Sequence, residues 1–273
     1  MRLGYALVLI LLPPSEAKAT PTAVDLARGS PLDLAALSFP DLTPTRSRVL
    51  DALVRLSRGP KGKARVALGL SPNQDAELER NQQLWEAPTR PAGETYTGVL
   101  YDALARSALP APARRRLDDS VVVMSALFGV VRLTDHIPAY RLSGDARLPR
   151  IGRVGTAWRR PLAGVLADMD TGVVFDLRSS TYSAMWAPSG DLAERTVVGR
   201  VLQRRPDGSV QVVSHFNKAT KGRLVGALVR RRTLPGSVDQ LVAAVADLGY
   251  DVTLVEACGG RAHRLDVVVA DLK

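Results

Sequence analysis

At 273 residues with 46% apolar side chains, the chain can bury a sizeable core, as one large domain or two small ones. Its 37 Lys and Arg against 27 Asp and Glu leave it at +10, which points to anionic partners, although an Arg-rich composition alone would also raise the charge. One cysteine, Cys258, excludes a disulfide framework within the chain and fits a reducing cytoplasm, and three histidines cannot build much of a zinc site.

Arg2, the apolar run 5–12 and Ala17-Lys18-Ala19 together imitate a signal peptide. The run is too short to span a membrane, and no other segment is long enough. Pro13-Pro14 end it abruptly, and a buried central strand accounts for it as well, which is the reading adopted. The loop after it brings Ser15, Glu16 and Lys18 to a strand's C-terminal end, a common position for function in open sheets.

Residues 20–42 read as irregular. Thr43-Pro44 starts a helix carrying Val49, Leu50, Leu53 and Leu56 at helical spacing, stopped by Arg58-Gly59-Pro60. Ser71-Pro72-Asn73-Gln74 is a capping box for a helix running to about Trp85. A helix follows Thr95-Tyr96-Thr97-Gly98, and Arg114-Arg115-Arg116 lie on another, as a solvated face.

Residues 120–144 dominate the middle of the chain. Val121, Val122, Val123 and Met124 read as a strand covered on both faces. Small residues at Ser125 and Gly129 let backbone pass closely, and the stretch ends in Arg132, Asp135, Tyr140 and Arg141. Those polar residues read either as a binding site or as a structural Arg–Asp pair on a loop. An amphipathic helix with Trp158, Leu162 and Leu166 inward, a strand at 173–177 and the polar group Ser179, Ser180 and Tyr182 come next. Arg205-Pro206-Asp207-Gly208 marks a hairpin. A helix over 217–231 places Lys218, Lys221 and Arg223 in its first two turns, where the macrodipole is already positive, with Gly222 among them; a bound anion would offset both penalties. Water-facing lysines and a glycine that permits helix packing are the plainer account. Gly236-Ser237-Val238-Asp239-Gln240 opens a further helix, and two strands close the chain.

No phosphate loop, dinucleotide fingerprint, nucleophile elbow or zinc-protease motif is present, and no cofactor or metal site is indicated. Glu16 or Asp135 are candidate general bases, Tyr96 or Tyr182 candidate acids, and Ser15 a candidate hydroxyl.

LLPPSEAK at 11–18, YTGVLYDAL at 96–104, SALFGVVRLTDHIPAYRLSG at 125–144, FDLRSSTY at 175–182 and HFNKATKGR at 215–223 together make the chain resemble the YaaA family of peroxide stress proteins, in its branch with the PPSE motif. The likeness runs from Val8 onward, so residues 1–7 read as an extension. It implies a mixed α/β fold in a single domain over 1–273, a basic cleft, a helix-hairpin-helix element over 96–132, and DNA binding that limits oxidative damage. The hairpin signature has two glycines where this chain has Gly129 alone. On that reading Lys18, Arg132, Arg141, Lys218, Lys221 and Arg223 contact phosphates, with Tyr96, Tyr140, Ser179 and Ser180 beside them. On the residues alone, the same cleft suits an enzyme acting on a small anionic or nucleobase-like substrate. A monomer with no membrane association is expected, and Lys18, Arg132, Arg141 and Lys221 are expected around one cleft.

Overall fold

A computed structural model of the chain describes residues 6–167, 169, 171–205, 209–211 and 214–269. The apolar run between the start and Pro13 is strand β1 (Ala6–Leu12), its residues from Val8 to Leu12 at most 2% exposed. Helices α1 (Ala23–Arg28), α2 (Thr43–Ser57), α3 (Lys61–Leu68), α4 (Asp75–Gln82), α5 (Val99–Leu104) and α6 (Ala111–Ser120) lead to β2 (Val121–Ser125) and its antiparallel partner β3 (Gly129–Arg132). Then come α7 (Val154–Leu166), β4 (Thr171–Asp176), β5 (Thr196–Arg204), β6 (Val210–Gln211), α8 (Ser214–Arg230), α9 (Val238–Ala246), β7 (Asp251–Val255) and β8 (His263–Val269).

The strands form one eight-stranded mixed sheet in the order β7-β8-β5-β4-β1-β2-β3, with β6 paired to β5. The five inner strands are parallel, and the edge strands β3 and β7 are antiparallel. From β1 the chain moves to β2 on one side and later to β4 on the other. Such a reversal opens a crevice at the C-terminal strand ends. A core from Val8 to Val267 fills both faces, mostly with Val and Leu, as the low aromatic content requires.

Several local readings hold. Val121 to Ser125 are all buried, and Trp158, Leu162 and Leu166 face inward. The Ser71 amide donates to Gln74 Oε1, and Ser237 Oγ accepts from the Gln240 amide. β5 and β6 form the expected hairpin, Arg204 opposite Val210; its tip at 206–208 lies outside the described residues.

Others need correction. Residues 20–42 contain α1, capped by Thr22, whose Oγ1 accepts from the Asp25 amide while Asp25 accepts from the Thr22 amide. α8 starts at Ser214, not 217, so Lys221 and Arg223 fall in its third turn, beyond the reach of the macrodipole. Gly222 serves packing: a Cβ there would lie 2.1 Å from the Leu100 carbonyl oxygen of α5. Arg116 is not wholly solvated, since its Nε donates to the Val229 carbonyl at 2.9 Å.

Candidate functional site

The loop after β1 sits at the C-terminal strand ends, strapped to the chain before α5. The Tyr101 hydroxyl donates to the Pro13 carbonyl at 2.8 Å, the Ala19 amide donates to Thr95, and Lys18 bridges Tyr96 in antiparallel fashion. Two prolines stiffen the first half of this loop, and Gly98, at φ 95°, takes the left-handed backbone conformation beside Ser15 that a side chain would disfavour. Ser15 Oγ itself has no hydrogen-bond partner among the described residues.

Lys18 is the centre of the cluster. Its Nζ donates to the carbonyls of Ser15 (2.7 Å) and Glu16 (3.3 Å) and lies 4.0 Å from the Tyr140 ring centroid and 5.6 Å from that of Tyr96. Burial, and next the Arg141 guanidinium, pull the ammonium down to about 7, against the Glu16 and Glu77 carboxylates. The two carbonyls and the ring faces also favour the charged form. Lys18 therefore holds a proton that small changes in its surroundings release or retain near neutral pH.

Behind it runs a chain of hydroxyls. Tyr96 and Tyr140, 2% and 1% exposed, have their hydroxyls 3.0 Å apart, and Ser125 Oγ is 2.8 Å from that of Tyr140. Ser125 Oγ also accepts from the Leu127 and Phe128 amides. These fill both its lone pairs, so its own proton goes to the Tyr140 oxygen. The two phenols then have two protons and one mutual bond between them, which leaves one phenolic O–H for a ligand. Burial pushes Tyr96, Tyr101, Tyr140 and Tyr182 all above the usual phenol range, so they stay protonated and act as donors rather than bases.

Arg141 closes the mouth. Its Nη2 lies 2.7 Å from Glu16 Oε2; the Glu16 side chain is 68% exposed and that of Arg141 only 17%. The backbone of Arg141 is gripped by Asn81, whose Oδ1 accepts from the Arg141 amide and whose Nδ2 donates to its carbonyl, both at 2.9 Å. Asn81 is fully buried on α4; the sequence places it on that helix but gave it no role. An Asn on the inward face of an amphipathic helix was the available signal, because such a group is costly unless hydrogen-bonded. Tyr182 completes this wall, buried with its ring edge against Gly144, where a Cβ would lie 3.8 Å from Tyr182 Cε1.

Ser15, Glu16, Lys18, Tyr96, Tyr140, Arg141 and Tyr182 are thus brought together. Lys221 reaches the same end of the sheet but is committed: its Nζ donates to the carbonyls of Leu177 (2.9 Å) and Arg178 (3.4 Å), leaving little for an anion. Asp176 and Arg178, absent from the expected site, form a buried pair at 2.6 Å, and Arg178 also donates to the Trp186 carbonyl. Ser179 and Ser180 are exposed around a four-residue helical turn (Ser180–Ser183). Lys218 and Arg223 are exposed on α8.

Arg132 and Asp135 do not join the cluster, and the expectation of one cleft holding Arg132 fails. β3 runs antiparallel to β2 and pairs Arg132 with Val122, so it carries both residues back toward the N-terminal strand ends. There Arg132 Nη1 donates to the Asp119 carbonyl. Asp135 accepts from the Ser38 amide and hydroxyl and from the Arg132 amide, which makes it a loop clasp rather than a base. Arg46, also passed over, is fully buried and donates to the carbonyls of Ser38, Phe128 and Val130. No helix-hairpin-helix apex is offered at Gly129. Residues 126–131 are fully buried, and a Cβ at Gly129 would meet the Trp158 ring at 2.7 Å. No group of three metal-ligating side chains occurs among the described residues, and no helix among them is long and apolar enough to cross a membrane.

Residues 8–254 match the family model described as peroxide stress protein YaaA. The chain belongs to the YaaA family. A UPF0246 protein of Streptomyces coelicolor is 48% identical, over 97% of this chain and 100% of its own length. A UPF0246 protein of Corynebacterium efficiens is 42% identical over 96% and 100%, and one of Roseobacter denitrificans 28% over 70% and 80%. The YaaA match begins inside β1 and encloses the whole Lys18 cluster.

Proposed function

We propose that this YaaA-family protein is an enzyme that takes a small anionic or nucleobase-like ligand at the C-terminal ends of β1, β2 and β4. Lys18 moves a proton at that ligand. The observation that carries this reading is the placement of Lys18 Nζ on the Tyr140 ring and the Ser15 carbonyl, where burial and the Arg141 guanidinium pull its ammonium down to about 7. A group with a pKa near the working pH is the most effective acid or base. Arg141, held by Asn81, anchors the ligand's negative charge, and the exposed Glu16 carboxylate is the group the ligand displaces. The spare phenolic proton of the Tyr96–Tyr140 pair donates to a ligand oxygen or nitrogen. The test is survival of peroxide challenge by cells carrying Lys18→Met in place of the wild-type chain. Protection is expected to be lost with the protein still folded; protection at the wild-type level from a folded variant overturns the reading.

A second reading, phosphate-backbone binding to DNA, is favoured by the net charge of +10 and by Lys218 and Arg223, exposed and without ion pairs among the described residues. It requires duplex affinity to fall by ~10³ or more between about 50 and about 200 mM salt for roughly six phosphate contacts, equally for unrelated sequences.

A further inference from the structure

A second recess shares none of its lining with the Lys18 cluster. It has a volume of about 570 Å³ and lies between α2, the start of α3 and the turn of the small ribbon joining Arg147–Leu148 to Gly152–Arg153. Arg48, Ala52, Arg55 and Gly59 recur at three- and four-residue intervals and so share one side of α2 and its end. Lys63 joins them from α3 and Arg150 from the ribbon turn. None of these four cations makes an ion pair or hydrogen bond among the described residues. Nearby Lys61 and Arg65, by contrast, are both held by Asp75. One carboxylate, Asp51, lines the recess, and its Oδ1 is engaged by Trp85 Nε1 at 3.1 Å. Ala52, Leu56, Pro149 and Ile151 supply an apolar surface between the charges.

Four like charges around one recess repel each other, and an anion would relieve that repulsion. Arg48 and Arg55 stand two helical turns apart, ~10 Å along the axis, a span that separated phosphates can bridge. The apolar surface has nothing to offer a bare inorganic anion but suits a flat ring, and the volume falls in the range of small-molecule sites. We propose that this groove binds a nucleoside polyphosphate, its phosphates on Arg48, Arg55, Lys63 and Arg150 and its base against Leu56 and Ile151. The site is independent of the reaction assigned to Lys18.

The test is a titration of the full chain with ATP, adenosine and tripolyphosphate, followed by calorimetry and by the fluorescence of Trp85, which is hydrogen-bonded to the lining residue Asp51. ATP should bind saturably and at least about tenfold more tightly than either fragment. Combined Arg55→Glu and Lys63→Glu should weaken ATP by ~10² or more, since both attraction is lost and repulsion added. Lys18→Met should leave ATP binding unchanged, which separates this site from the proposed reaction. Absence of saturable ATP binding overturns the proposal. So does binding that survives the double reversal, or tripolyphosphate binding as tightly as ATP. A single-stranded oligonucleotide that binds through Arg55 and Lys63 where ATP does not would also overturn it.

Discussion

Lys18 and Lys221 are two lysines at the same end of the parallel strands of one mixed sheet, and each gives its Nζ to two backbone carbonyls. Burial lowers the pKa of both. What separates them is the sign of the strongest charge effect on each. Lys221 is set against Asp176, which supports its ammonium, and its Nζ is held by the Leu177 and Arg178 carbonyls. Lys18 faces Arg141, which opposes its ammonium, and aromatic faces that leave an approach open. Burial alone makes a structural lysine; burial beside a fixed like charge makes one that titrates near neutrality.

The comparison breaks most sharply in amine reactivity. At pH 7.5 most of Lys18 should be unprotonated and open to acylation, and its labelling should fall as pH drops below about 7. Lys221, buried and bonded to two carbonyls, should label far more slowly. Peptide mapping after brief treatment with acetic anhydride across this pH range measures both, and equal labelling of Lys18 and Lys221 would remove the distinction.

Stability should move in opposite directions. Lys18 binds its proton less readily folded, at about 7, than unfolded, at 10.5. It therefore costs stability fully below pH 7, and the cost fades as pH rises to 10.5. The shift bounds that cost at ~4–5 kcal/mol, and the ring and carbonyl contacts reduce it. Lys18→Met should thus stabilise the protein by ~1–3 kcal/mol at pH 6–7 and by little above pH 10.5. Lys221→Met should destabilise it by ~1–3 kcal/mol, because the Leu177 and Arg178 carbonyls lose their donor in a buried place. Urea unfolding of both variants across this pH range checks the signs.

A smaller effect extends the contrast to the basic groove, where function and stability also diverge. Arg150 has φ 63°, a left-handed conformation that disfavours a side chain. Arg150→Gly should raise stability by about 0.5–1 kcal/mol, read from the unfolding midpoint, while weakening ATP binding.

Much of the frame was legible in the chain itself. The run ending at Pro13, the Val121–Met124 run and the capping signals at Ser71 and Ser237 encode their elements locally, through burial pattern and side-chain-to-backbone bonds spanning a few residues. The polar residues after β1 and β4 were legible too, since each follows an apolar strand directly. Roles were not. Arg132 and Asp135 sit closer in sequence to β2 than Tyr140 and Arg141 do, yet the antiparallel turn at Gly129 takes the first pair away and the returning chain brings the second pair back. The strongest charge effects on Lys221 and Lys18 come from Asp176 and Arg141, partners 45 and 123 positions away. Strand and helix signals are local because hydrogen bonding and burial period are local. A side chain's proton affinity and its free donors depend on what long-range packing sets beside it, and that is decided only when the sheet is assembled.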